Sequence, residues 1–476
     1  MKLNKVFIED EVALDLTQDT VTEEDVAEGK TFHKADGSEA VGTAVISEPT
    51  PTQEKTVTLD ANKTVEITPD EGYALSKVTA TISVPPTSSD DFDDYISGSL
   101  YDIVIPSNVT SIRDHAFRYA PIKTVKIHSG VTKLGNYAFA NCDRLTKANV
   151  PNIGNDIWDY AFQNCTSLTD VEIEEGSTSI GGNAFYKCTA LKEIEIPSSV
   201  EEIGNCAFQS CTSLEKVDIK GNVSTWGQYA FDGCTNLTEV ITPNGVSKTD
   251  YYTFQNCKSL KSLTLSDTFN YVANYAFNGC IELSDMVLPD TVTFIGQEAF
   301  RNCSKLDVAI PPKVTNIRSS AFYNSGITNV VIPSSLTTLE SSAFNSCKSL
   351  KSVEYKSSRI IPSSAFYNCT ALETVNITGS VITITGSAFR YCTALNSVEM
   401  PAAVMEIAAY TFDGCTSLAT VVCRAETPPT LGSYNFNHTK PSGFAIYVPA
   451  GSVDAYKAAT NWSSLASYIK SIEEMP

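Results

Sequence analysis

The sequence predicts a repeat solenoid, mostly β with a parallel sheet and irregular or short helical turns, preceded by two small N-terminal modules and closed by an α/β C-terminal cap. Three observations carry this. A phenylalanine recurs at Phe117, Phe139, Phe162, Phe185, Phe208, Phe231, Phe254, Phe277, Phe300, Phe322, Phe344, Phe366, Phe389 and Phe412, always 22 or 23 residues apart, and a fixed period of this length marks stacked supersecondary units. Within the unit of Phe162, Cys165 and Leu168 follow at intervals of three, and Val171 and Ile173 then alternate with polar residues, the pattern of a short strand. A unit this small cannot bury its apolar face alone, so Phe, Cys, Leu and the two strand residues must stack on their counterparts in neighbouring coils.

The full frame, Ile-Gly-x-x-Ala-Phe-x-x-Cys-Thr-x-Leu-x-x-Ile-x-Ile-Pro, is read from Ile180 to Pro197 and returns across residues 100 to 424. It resembles the BspA-like leucine-rich repeats of bacterial surface proteins. That resemblance implies a leucine-rich-repeat fold and an adhesive or protein-binding role, and it implies no catalytic residue. Departures are local. Phe117 and Phe322 are followed by shortened turns, Tyr119-Ala120-Pro121-Ile122 and Asn324-Ser325-Gly326-Ile327, that lack the Cys, and Lys248 to Tyr252 replaces the Ile-Gly segment. These coils are the expected points of bulging.

Ahead of the solenoid, residues 1–48 read as a separate module. Thr22-Glu23-Glu24-Asp25 has the pattern of a capping box opening a short helix, Gly29 closes it, and Asp36-Gly37 marks a tight turn between two short strands. After the joint Ser47-Glu48-Pro49-Thr50-Pro51-Thr52, residues 49–88 read as a small β module with strands at 55–59, 64–68 and 76–83 and the turn Pro69-Asp70-Glu71-Gly72. The wording of both modules, Asp15 to Thr22, Gly29 to His33 and Val65 to Tyr73, resembles N-terminal segments of bacteriophage tail, fibre and head-decoration proteins. Residues 89–99, with Asp90, Asp91, Asp93 and Asp94, read as an acidic linker without the Gly-and-Glu frame of a calcium loop.

At the other end, residues 425–476 form the expected cap. Ile446-Tyr447-Val448-Pro449 is a last strand, Ser452 to Lys457 starts a short helix, and Trp462, Leu465 and Ile469 are spaced to cover the final apolar layer, which would otherwise face water.

Composition narrows the function. With 34 basic against 55 acidic residues and a formal charge of −21, there is no basic stripe to neutralise phosphates, so nucleic acid is not an expected partner. No segment approaches the roughly 20 apolar residues of a membrane span, so membrane insertion is not expected, and Met1 to Asp10 does not form a convincing signal peptide. Twelve of the 14 cysteines occupy the position three after the marker phenylalanine, once per coil, which suits buried thiols rather than the clustered ligands of a metal site. Inter-coil disulfides remain the alternative. His33, His115, His128 and His438 are scattered, and no nucleophile elbow or phosphate loop is present. No cofactor, metal or enzyme activity is expected.

The functional expectation is a bacteriophage virion protein, a tail fibre, baseplate or head fibre or decoration. Residues 1–88 would join other virion proteins, as a homo-oligomer for which a trimer is the favoured count, and the solenoid would hold a host-surface protein or glycan. The alternatives are a bacterial BspA-like surface adhesin and an intracellular protein-interaction scaffold. Candidate contact residues come from the strand position between the two inward ones, which points out of the sheet. There Lys126, Asn149, Glu172, Glu195 and Asp218 give way to Ile241, Thr264, Val287, Ala309 and Val331, before Glu354, Asn376 and Glu399 restore polarity. The mostly apolar run of five is the candidate partner-binding stripe.

Overall fold

The computed structural model describes residues 102–105, 109–152, 158–357, 359–438 and 440–475, together with the backbones of six short strands within the first 55 residues. Two of those short strands, Phe32–His33 and Glu39–Ala40, pair antiparallel on either side of Asp36-Gly37. The modules read over residues 1–88 and the acidic linker read over 89–99 otherwise lie outside the described residues. The chain divides into two compact units, Met1–Pro243 and Asn244–Pro476.

One coil shows why the frame folds as it does. Phe185, Cys188, Leu191, Ile194, Ile196, Val200, Ile203 and Ala207 all turn inward and are buried. The outward residues between them, such as Glu193 and Glu195, stay exposed, giving the alternation of the strand Glu193–Ile196. That strand pairs in parallel with Lys216–Ile219, Glu193 opposite Lys216 and Ile196 opposite Ile219. One coil of offset therefore places like residues side by side. Within each unit the rings of successive marker phenylalanines stack: in the first unit, Phe139 to Phe162, Phe162 to Phe185 and Phe185 to Phe208 lie 5.4, 5.5 and 5.3 Å apart, with planes within 11°. Each buried ring contributes roughly 1.5–3 kcal/mol through burial.

A single row of parallel strands is expected from the sequence, and the structure forms two. The second row comes from the Ile-Gly segment, through Ser179–Ile180, Glu202–Ile203 and Thr225–Trp226 in the first unit. In the second unit it runs through Tyr271–Val272, Phe294–Ile295, Asn316–Ile317 and Thr338–Leu339, and again from Arg359–Ile361 to Thr430–Leu431. Where two successive coils carry glycine after this strand, the backbones approach too closely for a side chain, although other coils accept Ala273, Arg318 or Thr385 at that place. A Cβ on Gly204 would lie 2.7 Å from the Gly182 nitrogen, and one on Gly227 would lie 2.4 Å from the Gly204 carbonyl carbon.

The turn carrying the phenylalanine makes a third hydrogen-bonded row. Tyr160 and Asn164, two residues either side of Phe162, have φ of 60° and 58°, and the same two positions are left-handed in coil after coil. This conformation costs L-residues roughly 1–2 kcal/mol each. It turns three N–H groups toward the following coil, where Tyr160, Phe162 and Asn164 donate to the carbonyls of Gly182, Ala184 and Tyr186 at 2.8, 2.8 and 2.6 Å.

The cysteines fit the same geometry. The Cys165 thiol donates to the Phe139 carbonyl at 3.1 Å and the Cys188 thiol to that of Phe162 at 3.2 Å, so a small side chain fills the core while its weak donor finds an acceptor. All 14 are present as thiols rather than disulfides.

The coils expected to bulge are accommodated. Around Phe322 the rings stack at 5.3 and 5.1 Å, because Ser325 takes the place of the cysteine, is buried, and lies 3.4 Å from the Cys347 sulfur. In the segment that replaces Ile-Gly, buried Thr249 accepts the Ala273 N–H and Thr253 Oγ1 donates to the Asp250 carbonyl. The segment keeps its place through polar contacts instead of a strand.

The cap closes the second unit as expected. The helix Val453–Ala458 and the 3-10 turn Ser463–Tyr468 bring Tyr456, Trp462, Leu465 and Ile469 into the core. Trp462 Nε1 donates to the Pro429 carbonyl and the Tyr456 hydroxyl to that of Ala425, both at 2.8 Å. The last strand, Ile469–Ser471, pairs in parallel with Ala445–Val448.

Candidate functional site

Inside the solenoid the titratable groups are quiet. Burial pushes the Cys211 and Cys415 thiols up to about 12 and Cys347 up to about 11, so these sulfurs are neutral near pH 7, whereas nucleophiles and metal ligands are thiolates. Among the described residues no group of three His, Cys, Asp or Glu side chains is placed to hold a metal ion. His115 stacks on Tyr137 at 4.9 Å, and His438 Nδ1 lies 2.9 Å from a carboxylate oxygen of Asp413, whose other oxygen meets Arg390 Nε. No helix among the described residues is long and apolar enough to cross a membrane.

The outward position of the first strand row is where chemistry varies from coil to coil. In the first unit it runs from exposed Val104 through Lys126, Asn149 and Glu172 to Glu195 and Asp218, which sit 3.3 and 3.0 Å from the Lys220 ammonium, with Lys216 also 3.7 Å from Asp218. Ile241 ends this unit's row in the strand Glu239–Ile241 and is exposed. In the second unit Thr264, Val287, Ala309 and Val331 are all exposed, Val287 to 77% and Val331 to 43%. Five apolar or small residues therefore do face solvent, but Ile241 belongs to one unit and the other four to the next.

The backbone beneath them differs from the expected strand. Val331 lies in a paired strand, Asn329–Ile332. Thr264, Val287 and Ala309 lie outside paired strands, with only the isolated bridges Val246 to Leu265 and Ser262 to Asp285 nearby. Proline at the strand exit does not account for this, since Pro197 follows the fully paired strand Glu193–Ile196 and Pro333 follows Asn329–Ile332, while the coil of Thr264 has Ser266 at that place, donating to the Val246 carbonyl at 2.9 Å.

Further along the same outward column, Val422 and Tyr447 are apolar too, yet only 4% and 6% exposed. The chain's own C-terminal turn covers them, with Ile472 packed against Val422, Ala445 and Tyr447. Further exposed apolar residues, absent from the sequence-derived candidates, lie around the other strand row: Ile360, just before buried Ile361, and Ile382 and Met405, each two residues before buried Ile384 and Ile407. They do not share one register place, because the pairing of Arg359–Ile361 with Val381–Ile384 shifts by a residue.

The profile of the BspA type leucine rich repeat region, in six copies, matches residues 88–215, 155–284, 201–327, 270–396 and 315–442. The chain belongs to this family. Among solved structures, a leucine-rich repeat protein from Bacteroides ovatus is similar at 26% identity and TM-score 0.52, over 73% of this chain and 92% of that one. A leucine rich cell surface protein from Faecalibacterium prausnitzii matches at 23% identity and TM-score 0.41, over 80% and 94%. The pneumococcal vaccine antigen PcpA matches at 17% and 0.35, over 90% and 96%. No curated protein matches the chain. Membership places the BspA-type frame over the described coils, and nothing in these comparisons supports the bacteriophage modules read from residues 1–88.

Proposed function

We propose that this BspA-type solenoid is a non-enzymatic adhesin of the bacterial surface. It holds a protein or glycan of another cell through the outward column of the second unit, Thr264, Val287, Ala309 and Val331, with Ile241 as the corresponding residue of the first unit. The observation that carries the reading is the bareness of this column. Apolar side chains left in water on a soluble solenoid mark contact sites, and each Å² a partner covers is worth about 25 cal/mol. Family membership supports a binding role over catalysis, and the neutral, buried thiols support it from inside the core.

Two measurements test this. Labelled full-length chain is titrated onto intact animal and bacterial cells by flow cytometry; V287D/V331D should bind at least tenfold more weakly with an unchanged circular dichroism spectrum. Unaltered binding by that variant removes the site. Protease or periodate treatment of the target cells separates a protein receptor from a glycan. Brief proteolysis of intact producing cells should destroy the chain, and complete protection there removes the surface location.

A further inference from the structure

The bare column has a repeat distance, and that distance selects among occupants. The four coils that carry Thr264, Val287, Ala309 and Val331 stack their marker rings, Phe254, Phe277, Phe300 and Phe322, at 5.6, 5.4 and 5.3 Å. The four outward residues thus extend over about 16 Å in three steps. An extended peptide shows one side chain to a surface every 6.6–6.8 Å or so. After three steps it has advanced about 20 Å and is out of register by most of a coil. An α-helix advances about 5.4 Å per turn and covers three turns in about 16 Å, in step with the coils. Its apolar stripe at i, i+3 or i+4, i+7 and i+11 can therefore meet every coil. The column also has relief: Ala309 lies between the larger Val287 and Val331, leaving a notch for one bulky side chain.

Charge narrows the helix further. Asp285 and Asp307 flank the column two residues before the outward position, and Asp267 and Asp290 lie on the turns that follow it, all four exposed. Asp307 already accepts the Thr328 N–H at 3.0 Å and its hydroxyl at 2.7 Å. Lys261 and Lys313 are the exposed cations nearest in sequence, and Lys305 is held by Glu282 at 2.6 Å. Carboxylates thus outnumber available ammonium groups along the rim. The same column further along already takes an aliphatic side chain from outside the repeat, where Ile472 seats on Val422 and Tyr447.

We propose that the occupant of the Thr264–Val331 column is an amphipathic α-helix of about three turns lying along the stacking direction, with an aliphatic stripe bordered by Lys or Arg. This rests on the docking surface proposed above and names the class of partner that fits it.

The probes are synthetic 12-residue peptides titrated against the full chain by fluorescence anisotropy. One is a helix-stabilised peptide with Leu at the stripe positions and Lys on both borders. A second has the same composition rearranged into strict Leu-Lys alternation, and a third keeps the stripe with Glu in place of Lys. The first should bind at least tenfold more tightly than either other, weaken as salt rises, and lose at least tenfold in A309R, where an arginine fills the notch. Equal binding by the alternating peptide, or unchanged binding in A309R, overturns the helical occupant. If V287D/V331D abolishes cell binding while none of the three peptides binds, the helix is wrong and the docking surface stands. If cell binding survives that double substitution, both fall.

Discussion

Val287 and Val422 occupy the same outward place in the repeat, two valines on one column of one unit, and they meet opposite fates. Val287 is 77% exposed and Val422 4%. Their place in the sequence frame does not separate them, although Val422 lies in the paired strand Thr420–Cys423 and Val287 in unpaired backbone. The difference is made by Ile472, fifty residues after Val422, which returns over the sheet in the turn Ile472–Glu474 and packs on Val422, Ala445 and Tyr447. The column therefore contains a worked example of its own covering, and the Thr264–Val331 stretch is the part that no described segment covers. In the first unit the middle of the same row is filled by Glu172, Glu195 and Asp218, with Lys220 bridging the last two, so water satisfies those coils, while exposed Val104 and Ile241 stand at the two ends of the row.

Substitution should separate the covered valine from the bare one most sharply. V422D places a carboxylate under Ile472 and should cost roughly 2–4 kcal/mol in denaturant unfolding, from lost burial and a poorly solvated charge. V287D, open to water, should stay within about 0.5 kcal/mol of the parent while losing partner binding. Equal destabilisation by the two would erase the distinction.

Removing the cover instead of the covered residue gives a smaller effect. I472A should lower stability by about 1 kcal/mol, since Ile472 is only half-buried, and should raise fluorescence of an apolar dye as Tyr447 and Val422 become accessible. A dye response no greater than that of the parent would show that the turn does not shield them. Smallest of all is the charged column. K220A removes two exposed pairs and should change stability by about 0.5 kcal/mol or less, with the difference vanishing in high salt. A loss above 1 kcal/mol would mean that the charged column needs a partner as much as the apolar ones do.

Much of this was open to reading from residues alone. The phenylalanine period locates every coil, and three-residue steps to Cys165 and Leu168 followed by alternation at Val171 and Ile173 identify the core, because stacking demands the same inward residues in each coil. The outward residues of the candidate stripe follow from that alternation, and all five prove exposed. The second strand row was missed because Ile203 and most of its equivalents supply only two residues per strand, too few for an alternation to register. The left-handed turn positions were missed because Tyr, Asn and Ser fill them as readily as glycine, so composition gives no sign of φ. The loss of strand pairing beneath Val287 and Ala309 likewise leaves hydrophobic alternation intact, and the exit prolines do not reveal it, since Pro197 and Pro333 follow paired strands.

The amino-acid order by itself determined the repeat, the inward set and the direction in which Val287, Ala309 and Val331 point, since each depends on spacings within one coil or its immediate copy. Tertiary structure alone decided which outward apolar residues stay in water. That outcome depends on where a segment outside the repeat finally lies, and the path of Ile472 across Tyr447 is set by packing between residues distant in the chain, to which no local period corresponds.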